Sequence, residues 1–244
     1  MASDRTRLLI DAGMSRRETR RRLALLGEAP DRLDGILVSH EHADHVAGLS
    51  LLSEEFSAPV YLTEATRANL PGAEPLKRVE LIRAGERFTV GDIEITPFSI
   101  PHDAADPIAF AFRAEGLKIA LVTDLGYLPE LVKQHVRECD CLIIESNHDL
   151  DMLKLGPYPW HIKQRVMSRL GHLSNHAVAQ FLSEEFDSRP RYLVLAHLSE
   201  NNNHPEIARM TACEGLEQRA ANGLPFAGQL LISSQREPLG PILL

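Results

Sequence analysis

The feature that most constrains the fold of this chain is a cluster of metal-binding side chains directly after an apolar run. Residues 35–38 form a short apolar run that contains β-branched residues and follows Asp34. Such a run is typical of a buried strand. The decapeptide at positions 39–48 follows at once, and its ligand-type side chains lie close together in the sequence: His40, His42, Asp44 and His45. Because side chains alternate along a strand, His40 and His42 point to the same side and can hold one ion. Asp44 and His45, one step further along, can then face a second ion.

The mixture of imidazole and carboxylate ligands indicates the kind of metal. It suits zinc, manganese or iron better than calcium or magnesium. Paired ions of this kind hydrolyse phosphoesters, esters or amides. A polar surface loop that happens to contain three histidines is the alternative, but a metal site is the usual reason for this spacing.

The composition of the chain argues against several other classes of protein. The chain has 244 residues, of which 44% are hydrophobic, and this length favours one large domain. Its net charge of −8 does not favour broad binding to a phosphate backbone. The low, odd number of cysteines and the lack of a recognisable signal peptide predict a cytoplasmic protein without disulfides. The apolar runs are too short for a membrane span, so no membrane association is expected.

Periodicity and turn residues predict alternating strands and helices. The strands begin as a meander and then alternate with helices, in two successive halves. Predicted strands cover 8–10, 35–38, 59–62, 88–90, 93–96, 108–112, 118–122, 141–145, 191–196 and 229–233. Predicted helices cover 15–26, 47–56, 63–70, 129–137 and 177–186, with one more starting at Pro205. Cys139 and Cys141 are expected to be small buried residues of a strand rather than metal ligands.

The motif His40-x-His42-x-Asp44-His45 resembles the signature of the metallo-β-lactamase superfamily of hydrolases. The resemblance implies an α/β fold, a four-layer αββα sandwich with metals at one edge between the sheets. It also implies a single hydrolase domain over residues 1–244. The family usually has another strand or hairpin before the strand at 8–10, and that piece is expected to be absent here.

The resemblance also implies the remaining ligands and their support. It places His102, which follows a predicted strand, as the third ligand of the first ion, and Asp124 as a carboxylate that bridges both ions. His197, at the end of the strand 191–196, fits the last ligand of the second ion. Asp11 is expected to support the metal-binding loop through hydrogen bonds. For Asp11 and Asp124, the alternative is an ordinary role in a turn or as a helix cap.

Further motifs are similar to those of the YycJ/WalJ-type, exonuclease-like branch of the superfamily. They lie at positions 11–15, 39–45, 145–149, 156–159, 171–175 and 197–202. His172 resembles the histidine that metallo-nucleases place beside the scissile phosphate. It is expected to donate a hydrogen bond to a phosphate oxygen and to protonate the leaving oxygen, which makes it catalytic together with Asp44 and Asp124. A capping or core histidine is the alternative.

Several other residues are candidates for weaker roles. Glu145 and His148 are expected to support the ligands through hydrogen bonds. Ser174 and Asn175 stand at a helix start, where they either bind an anion or simply cap the helix. Four side chains could contact a strand of nucleic acid: Lys163 and Arg165 at its backbone, and Tyr158 or Trp160 by stacking. Core packing is the alternative for Trp160.

The sequence thus predicts a metal-dependent phosphodiesterase with two divalent ions (zinc, manganese or iron) and a hydroxide shared between them. Nucleic acid is the expected partner, with 5′-to-3′ exonucleolysis of DNA as the leading interpretation. A hydrolase of small esters, thioesters or cyclic phosphodiesters is the main alternative. A di-iron oxygen reductase is disfavoured, because His42 stands where such members have glutamate. A non-catalytic binding module is disfavoured by the complete ligand set. Sequence does not determine the oligomeric state.

Overall fold

The computed structural model describes residues 1–72 and 76–244, which form two compact units. The first unit contains residues 1–99 and 104–116, and the second contains residues 100–103 and 117–244. The strands of the first unit are β1 (Leu8–Ile10), β2 (Gly35–Leu37), β3 (Val60–Leu62), β4 (Val79–Leu81), β5 (Phe88–Val90), β6 (Ile93–Ser99) and β7 (Ile108–Ala114). Its helices are α1 (Arg16–Leu25), α2 (Ala43–Val46), α3 (Leu49–Glu55) and α4 (Glu64–Ala68).

The second unit alternates strands and helices along the whole of its length. Its strands are β8 (Leu117–Val122), β9 (Cys141–Glu145), β10 (Tyr192–Ala196) and β11 (Gln229–Ile232). Its helices are α5 (Glu130–Val136), α6 (Leu150–Leu155), α7 (Trp160–Val166), α8 (Asn175–Glu184) and α9 (Pro205–Ala221). The α/β class predicted from the sequence is confirmed, whereas the single hydrolase domain over residues 1–244 stays a prediction.

The first four strands form a parallel sheet in the order β1-β2-β3-β4. The predicted meander is wrong for these strands, because helices connect each of them to the next and carry the chain back to the same end of the sheet. The first connection, α1, begins after the predicted cap, where the Ser15 hydroxyl accepts a hydrogen bond from the Glu18 amide at 3.3 Å. The strand Val79–Leu81 was not predicted, and its largely exposed Glu80 and Leu81 explain why the sequence lacks a clear apolar pattern there.

The other three strands of the first unit do form a meander. β5 pairs with β6 in an antiparallel hairpin, as predicted, and β6 and β7 are also antiparallel. The rings of Tyr61 on β3 and Phe88 on β5 stack with their centroids 5.3 Å apart. This contact packs the parallel sheet of the first unit against its meander.

In the second unit the strands β8, β9, β10 and β11 run parallel and neighbour one another in that order. Residues 141–145 and 193–195 are mostly buried, as expected for parallel strands covered on both faces. The helices α8 and α9 approach each other closely, since a Cβ atom on Gly215 would overlap the carbonyl of Ala179. Because all these strands run the same way, the loops after β8, β9 and β10 meet at one edge.

The basic residues of α1 are largely neutralised within the first unit. Arg21 and Arg22 bind Glu18, at 2.8 Å and 2.7 Å, and both Arg16 and Arg20 pair with Glu55. This arrangement favours a solvated, ion-paired helix face over a surface that tracks phosphates. Among the described residues, the structure contains no helix with the length and apolar character required to cross a bilayer.

We predict that Gly13→Ala destabilises the first unit by about 3 kcal/mol, because an added Cβ would overlap the backbone carbonyl of Asp44 and neither backbone can move without displacing the ligand loop. Denaturant titration followed by circular dichroism measures this change. Gly240→Ala is the matched control, since a Cβ atom there meets nothing within 4 Å. Equal stability of the two variants would contradict the prediction.

Candidate metal centre

In the first unit, the ligand loop (residues 39–45) continues directly from β2 into α2. His40 is buried, and its Nε2 atom lies 3.0 Å from Nδ1 of His42. A tetrahedral ion with bonds of about 2.0–2.1 Å separates two nitrogen ligands by roughly 3.3 Å, so these two atoms are near the spacing that one ion requires. The Ser39 hydroxyl lies 3.0 Å from the other ring nitrogen of His40 and fixes the ring orientation.

Asp11, directly after β1, supports this loop from behind. One carboxylate oxygen accepts a hydrogen bond from the Ser39 amide at 2.8 Å, and the other accepts one from the Ser39 hydroxyl at 2.9 Å. The second oxygen also lies 2.8 Å from Nδ1 of His45. With Nδ1 engaged, Nε2 of His45 is the atom available to a metal, and it lies 3.5 Å from Oδ2 of Asp44. A carboxylate behind a histidine is the common way to orient a metal ligand and to raise its basicity.

In the second unit, the ends of three neighbouring parallel strands bring polar side chains to one edge. Asp124 follows β8, Glu145 is the last residue of β9, and His197 follows β10. Glu145 and Ala196 are direct register partners, so the loops of β9 and β10 begin at the same level. Together with His172, these residues form the Glu145 cluster, defined as Asp124, Glu145, His172 and His197. Their potential ligand atoms all lie within 4.8 Å of one another.

Glu145 is fully buried and holds the Glu145 cluster together. Its Oε1 atom lies 2.8 Å from Nδ1 of His172 and 2.7 Å from Nδ1 of His197. Its Oε2 atom accepts hydrogen bonds from the amides of Leu125 and Leu173, both at 3.1 Å. One carboxylate thereby fixes the loops after β8, α7 and β10. With Nδ1 engaged, Nε2 of His197 is the atom available to a metal, and it lies 3.5 Å from Oδ1 of Asp124.

The same network determines which groups of the cluster carry charge. Burial raises the pKa of Glu145, but hydrogen bonds from His172 and His197 outweigh that effect and the pKa is lowered. Burial lowers the pKa of His172, but the hydrogen bond and negative charge of Glu145 outweigh it, so the pKa of His172 is raised. An ionised Glu145 therefore favours a protonated His172, which is the form that can donate a proton.

Three of these residues adopt left-handed backbone conformations. The φ angles are 56° for Asp11, 63° for Asp124 and 56° for His197. Aspartate and histidine tolerate this region better than most residues, but each instance still costs about 1–3 kcal/mol. All three stand directly after a strand or one residue beyond it, where the left-handed turn redirects the chain. Such strain is typical of functional sites.

His102 lies in the second unit on a segment next to His172. It is buried, and its Nδ1 atom lies 3.2 Å from the carbonyl oxygen of Gly171. The rings of His102 and His172 have centroids 5.1 Å apart. Burial lowers the pKa of His102, which favours the neutral imidazole that a metal requires. The neighbouring Asp103 forms an ion pair with Arg165.

The predicted substrate-binding residues differ in how accessible they are. The Ser174 hydroxyl caps α8 by accepting a hydrogen bond from the Ala177 amide at 3.1 Å. The Asn175 side chain is buried and accepts a hydrogen bond from the Ser146 hydroxyl at 2.7 Å. Lys163 is buried, and its ammonium group donates to the carbonyl of Lys154 at 2.7 Å. Arg165 is exposed. The structure thus gives all four a contact within the protein, since Arg165 pairs with Asp103, and their roles toward a substrate stay predictions.

Other predicted residues are placed deeper in the second unit. His148 is buried, and burial lowers its pKa to about 4, so the ring is neutral. Its backbone carbonyl accepts a hydrogen bond from the Asn175 amide at 2.9 Å. Cys139 and Cys141 are buried at the start of β9, as expected, and burial raises their pKa values to about 12 and about 11. Their thiols therefore stay protonated and are poor metal ligands.

Sequence reasoning missed the part played by Ser39 and the full extent of the part played by Glu145. The only sequence signal for Ser39 is its position directly before the histidine motif. For Glu145, the signal is a carboxylate at the end of an otherwise apolar strand, where burial would be expensive without several hydrogen-bond donors. Within each unit, imidazole nitrogens held by a carboxylate lie beside a second carboxylate. This donor set suits a divalent metal ion.

Comparison with known proteins agrees with this chemistry. Residues 6–198 match the family model described as a beta-lactamase superfamily domain. Exodeoxyribonuclease YycJ of Bacillus anthracis is 38% identical over 225 residues, covering 90% of this chain and 84% of that protein. Exodeoxyribonuclease WalJ of Streptococcus pneumoniae strain D39 is 34% identical over 223 residues, covering 89% of this chain and 83% of that protein.

A solved structure supports the same fold. The metallo-beta-lactamase fold protein YhfI of Bacillus subtilis superposes with a TM-score of 0.69 at 20% sequence identity. The match covers 95% of this chain and 86% of that one. The metallo-β-lactamase fold predicted from the sequence is confirmed. The chain belongs to the metallo-β-lactamase superfamily of metal-dependent hydrolases, in the branch that contains the YycJ and WalJ proteins.

Proposed function

We propose that this protein is a metal-dependent exonuclease that degrades DNA from 5′ to 3′. The observation that carries the proposal is the Glu145 cluster, in which a buried carboxylate aligns His172 beside His197 and Asp124. A histidine so placed can act on a phosphate that is bound to neighbouring ions. Two relatives named exodeoxyribonucleases, at 38% and 34% identity, support the choice of DNA.

We infer that two divalent ions, chosen from zinc, manganese or iron, are bound by the ligands that the motifs predict. His40, His42 and His102 would hold the first ion. Asp44, His45 and His197 would hold the second, and Asp124 would serve as a ligand to both. The short distances within each unit support this assignment: 3.0 Å between His40 and His42, and 3.5 Å between His197 and Asp124. When bound, such ions lower the pKa of water and neutralise phosphate charge.

The residues of the protein itself orient the reaction. Asp11 and Glu145 engage Nδ1 of His45 and His197, so that Nε2 of each ring would be the atom that binds an ion. Glu145 also fixes Nδ1 of His172, which leaves Nε2 to meet the substrate. We assign to Nε2 of His172 a hydrogen bond to a phosphate oxygen, followed by transfer of its proton to the leaving oxygen. The ionised Glu145 stabilises the protonated ring before that transfer.

Cleavage of end-labelled DNA tests the activity. With 5′-phosphorylated, 3′-labelled single- and double-stranded DNA and manganese or zinc, we expect stepwise release of mononucleotides. Asp44→Ala should abolish this release because it removes a proposed ligand, while Asp4→Ala, which alters an exposed carboxylate outside the site, should not. Circular single-stranded DNA should remain intact, since it lacks a 5′ end. Hydrolysis of small esters by a metal-loaded protein that leaves DNA and RNA intact would favour the alternative function.

Metal analysis tests the dinuclear assignment. We expect about two ions per chain for the wild-type protein at saturating metal. In Asp124→Ala the affinity for metal should fall at least about 10-fold, because removal of residues that only support the ligands already has such an effect in other metal sites. Elemental analysis after removal of unbound metal measures the stoichiometry. His176→Ala serves as the matched control, because His176 is exposed on α8 and belongs to no proposed ligand set. A stoichiometry of one in the wild-type protein would contradict the assignment.

The role of His172 as a proton donor predicts a dependence on the leaving group. His172→Ala should lower turnover of DNA by about 10²–10⁴-fold while keeping the metal content. Turnover of thymidine 5′-(4-nitrophenyl phosphate) should fall much less, because nitrophenolate leaves without a proton. Equal losses on both substrates would contradict proton donation, and unchanged turnover of DNA would exclude any catalytic role for His172.

A further inference from the structure

The turn between α6 and α7 exposes more apolar surface than its surroundings. The side chains of Leu155 and Trp160 are 87% and 61% exposed, and Pro157 and Pro159 between them are exposed as well. Trp160 is the single tryptophan of the chain. The core-packing alternative for this residue is therefore wrong. An exposed tryptophan beside further exposed apolar residues is typical of a binding surface, where its large ring supplies most of the contact area.

This turn is held in a fixed conformation. Two prolines restrict its backbone, and a Cβ atom on Gly156 would lie only 2.7 Å from the carbonyl oxygen of Met152. The buried ammonium group of Lys163 joins α7 to the carbonyl of Lys154 at the end of α6. The Asn201 amide donates to the Tyr158 hydroxyl at 3.2 Å. Trp160 is thus presented by a rigid support, which reduces the entropy lost on binding.

The charge around Trp160 differs from that of the whole chain. Residues 152–183 contain four lysines or arginines and no aspartate or glutamate, although the net charge of the chain is −8. Lys154, Arg165 and Arg169 of this segment are exposed, although Arg165 also pairs with Asp103 and the Arg169 guanidinium lies 4.1 Å from the centre of the Tyr127 ring. An exposed aromatic ring in a segment whose charged side chains are all cationic matches the pattern by which proteins bind single-stranded nucleic acid, with bases stacked on the ring and phosphates near the cations. The local excess of cations suits this segment to a polyanion despite the negative net charge of the chain.

Helix α7 links this surface to the proposed reaction centre. Trp160 is the first residue of α7, and the carbonyl of Val166 at its end accepts a hydrogen bond from the His172 amide at 2.9 Å. The six steps from Trp160 to Val166, at about 1.5 Å each, cover roughly 9 Å along the helix axis. A nucleic-acid strand advances about 3.4 Å per stacked nucleotide, so this separation corresponds to about three nucleotides.

We propose that Trp160, flanked by Lys154, Arg165 and Arg169, is a stacking platform for single-stranded DNA about three nucleotides beyond the scissile phosphate. The platform holds the retained 3′ part of the strand while His172 acts at its 5′ end. Retention of the strand between cleavage steps follows from this contact. The proposal rests on the proposed nuclease function, because it assumes that the polyanion bound here is the substrate.

The single tryptophan gives a direct binding measurement. We expect titration of the metal-loaded wild-type protein with phosphorothioate oligothymidylate, which resists cleavage, to quench the fluorescence of Trp160. Binding of the labelled oligonucleotide, followed by anisotropy, should weaken about 10-fold in Trp160→Ala and much less in Trp160→Phe, which retains an aromatic face. Met210→Ala is the matched control, since Met210 is 62% exposed on α9. Binding without quenching would overturn the proposal.

Kinetics separates the platform from the reaction centre. In Trp160→Ala we expect the KM of a 20-nucleotide strand to rise about 10-fold with little change in kcat, and the KM of a dinucleotide to rise far less. Equal effects on the two substrates would overturn the platform. Quenching by anionic lipid vesicles but not by DNA would overturn it as well. A wild-type protein that cleaves no DNA yet shows quenching by it would refute the nuclease function while keeping the binding surface.

Discussion

This site depends on the hydrogen bonds between two carboxylates and the Nδ1 atoms of its histidines. Asp11 in the first unit holds His45, and Glu145 in the second holds His172 and His197. Removing a fully buried carboxylate such as Glu145 from water costs about several kcal/mol of free energy. Only a full set of hydrogen-bond donors offsets this desolvation cost. Two imidazoles and two backbone amides supply that set. The same bonds that allow the carboxylate to be buried also orient the rings, so stability and function share one network.

The backbone contributes a second constraint. Asp11, Asp124 and His197 all adopt left-handed conformations at strand ends, and Gly13 and Gly48 permit close approach of neighbouring backbone where a Cβ atom would overlap the carbonyls of Asp44 and Met14. Strained turns of this kind persist only where the surrounding structure holds them. Here the parallel strands and the hydrogen bonds of the two carboxylates do so. The proposed metal ligands, held in this way, would need little reorganisation to bind an ion.

The fold was predictable where local patterns are strong and less so where pairing is distant. Apolar runs and glycine turns predicted most strands, including the hairpin of β5 and β6, and Ser15 predicted the start of α1. The strand order could not be predicted so well, because short runs do not reveal whether their neighbours are parallel. The parallel sheet β1-β2-β3-β4 therefore replaced the expected meander. The exposed strand β4 has too little apolar character to be recognised.

The sequence by itself determined the family to which the chain belongs and the candidate ligands in the loop after β2. Metal chemistry favours histidine and carboxylate at such positions, which is why their spacing was recognisable. Only the tertiary structure decided which side chains face inward. It buried Lys163 against a carbonyl and placed Asn175 in a core network, although both looked like contacts to a substrate. It left Trp160 exposed, where the sequence also allowed core packing. It also assigned Glu145 to two histidines that are 27 and 52 residues away in the chain. Such choices depend on packing between distant segments, which no local pattern encodes.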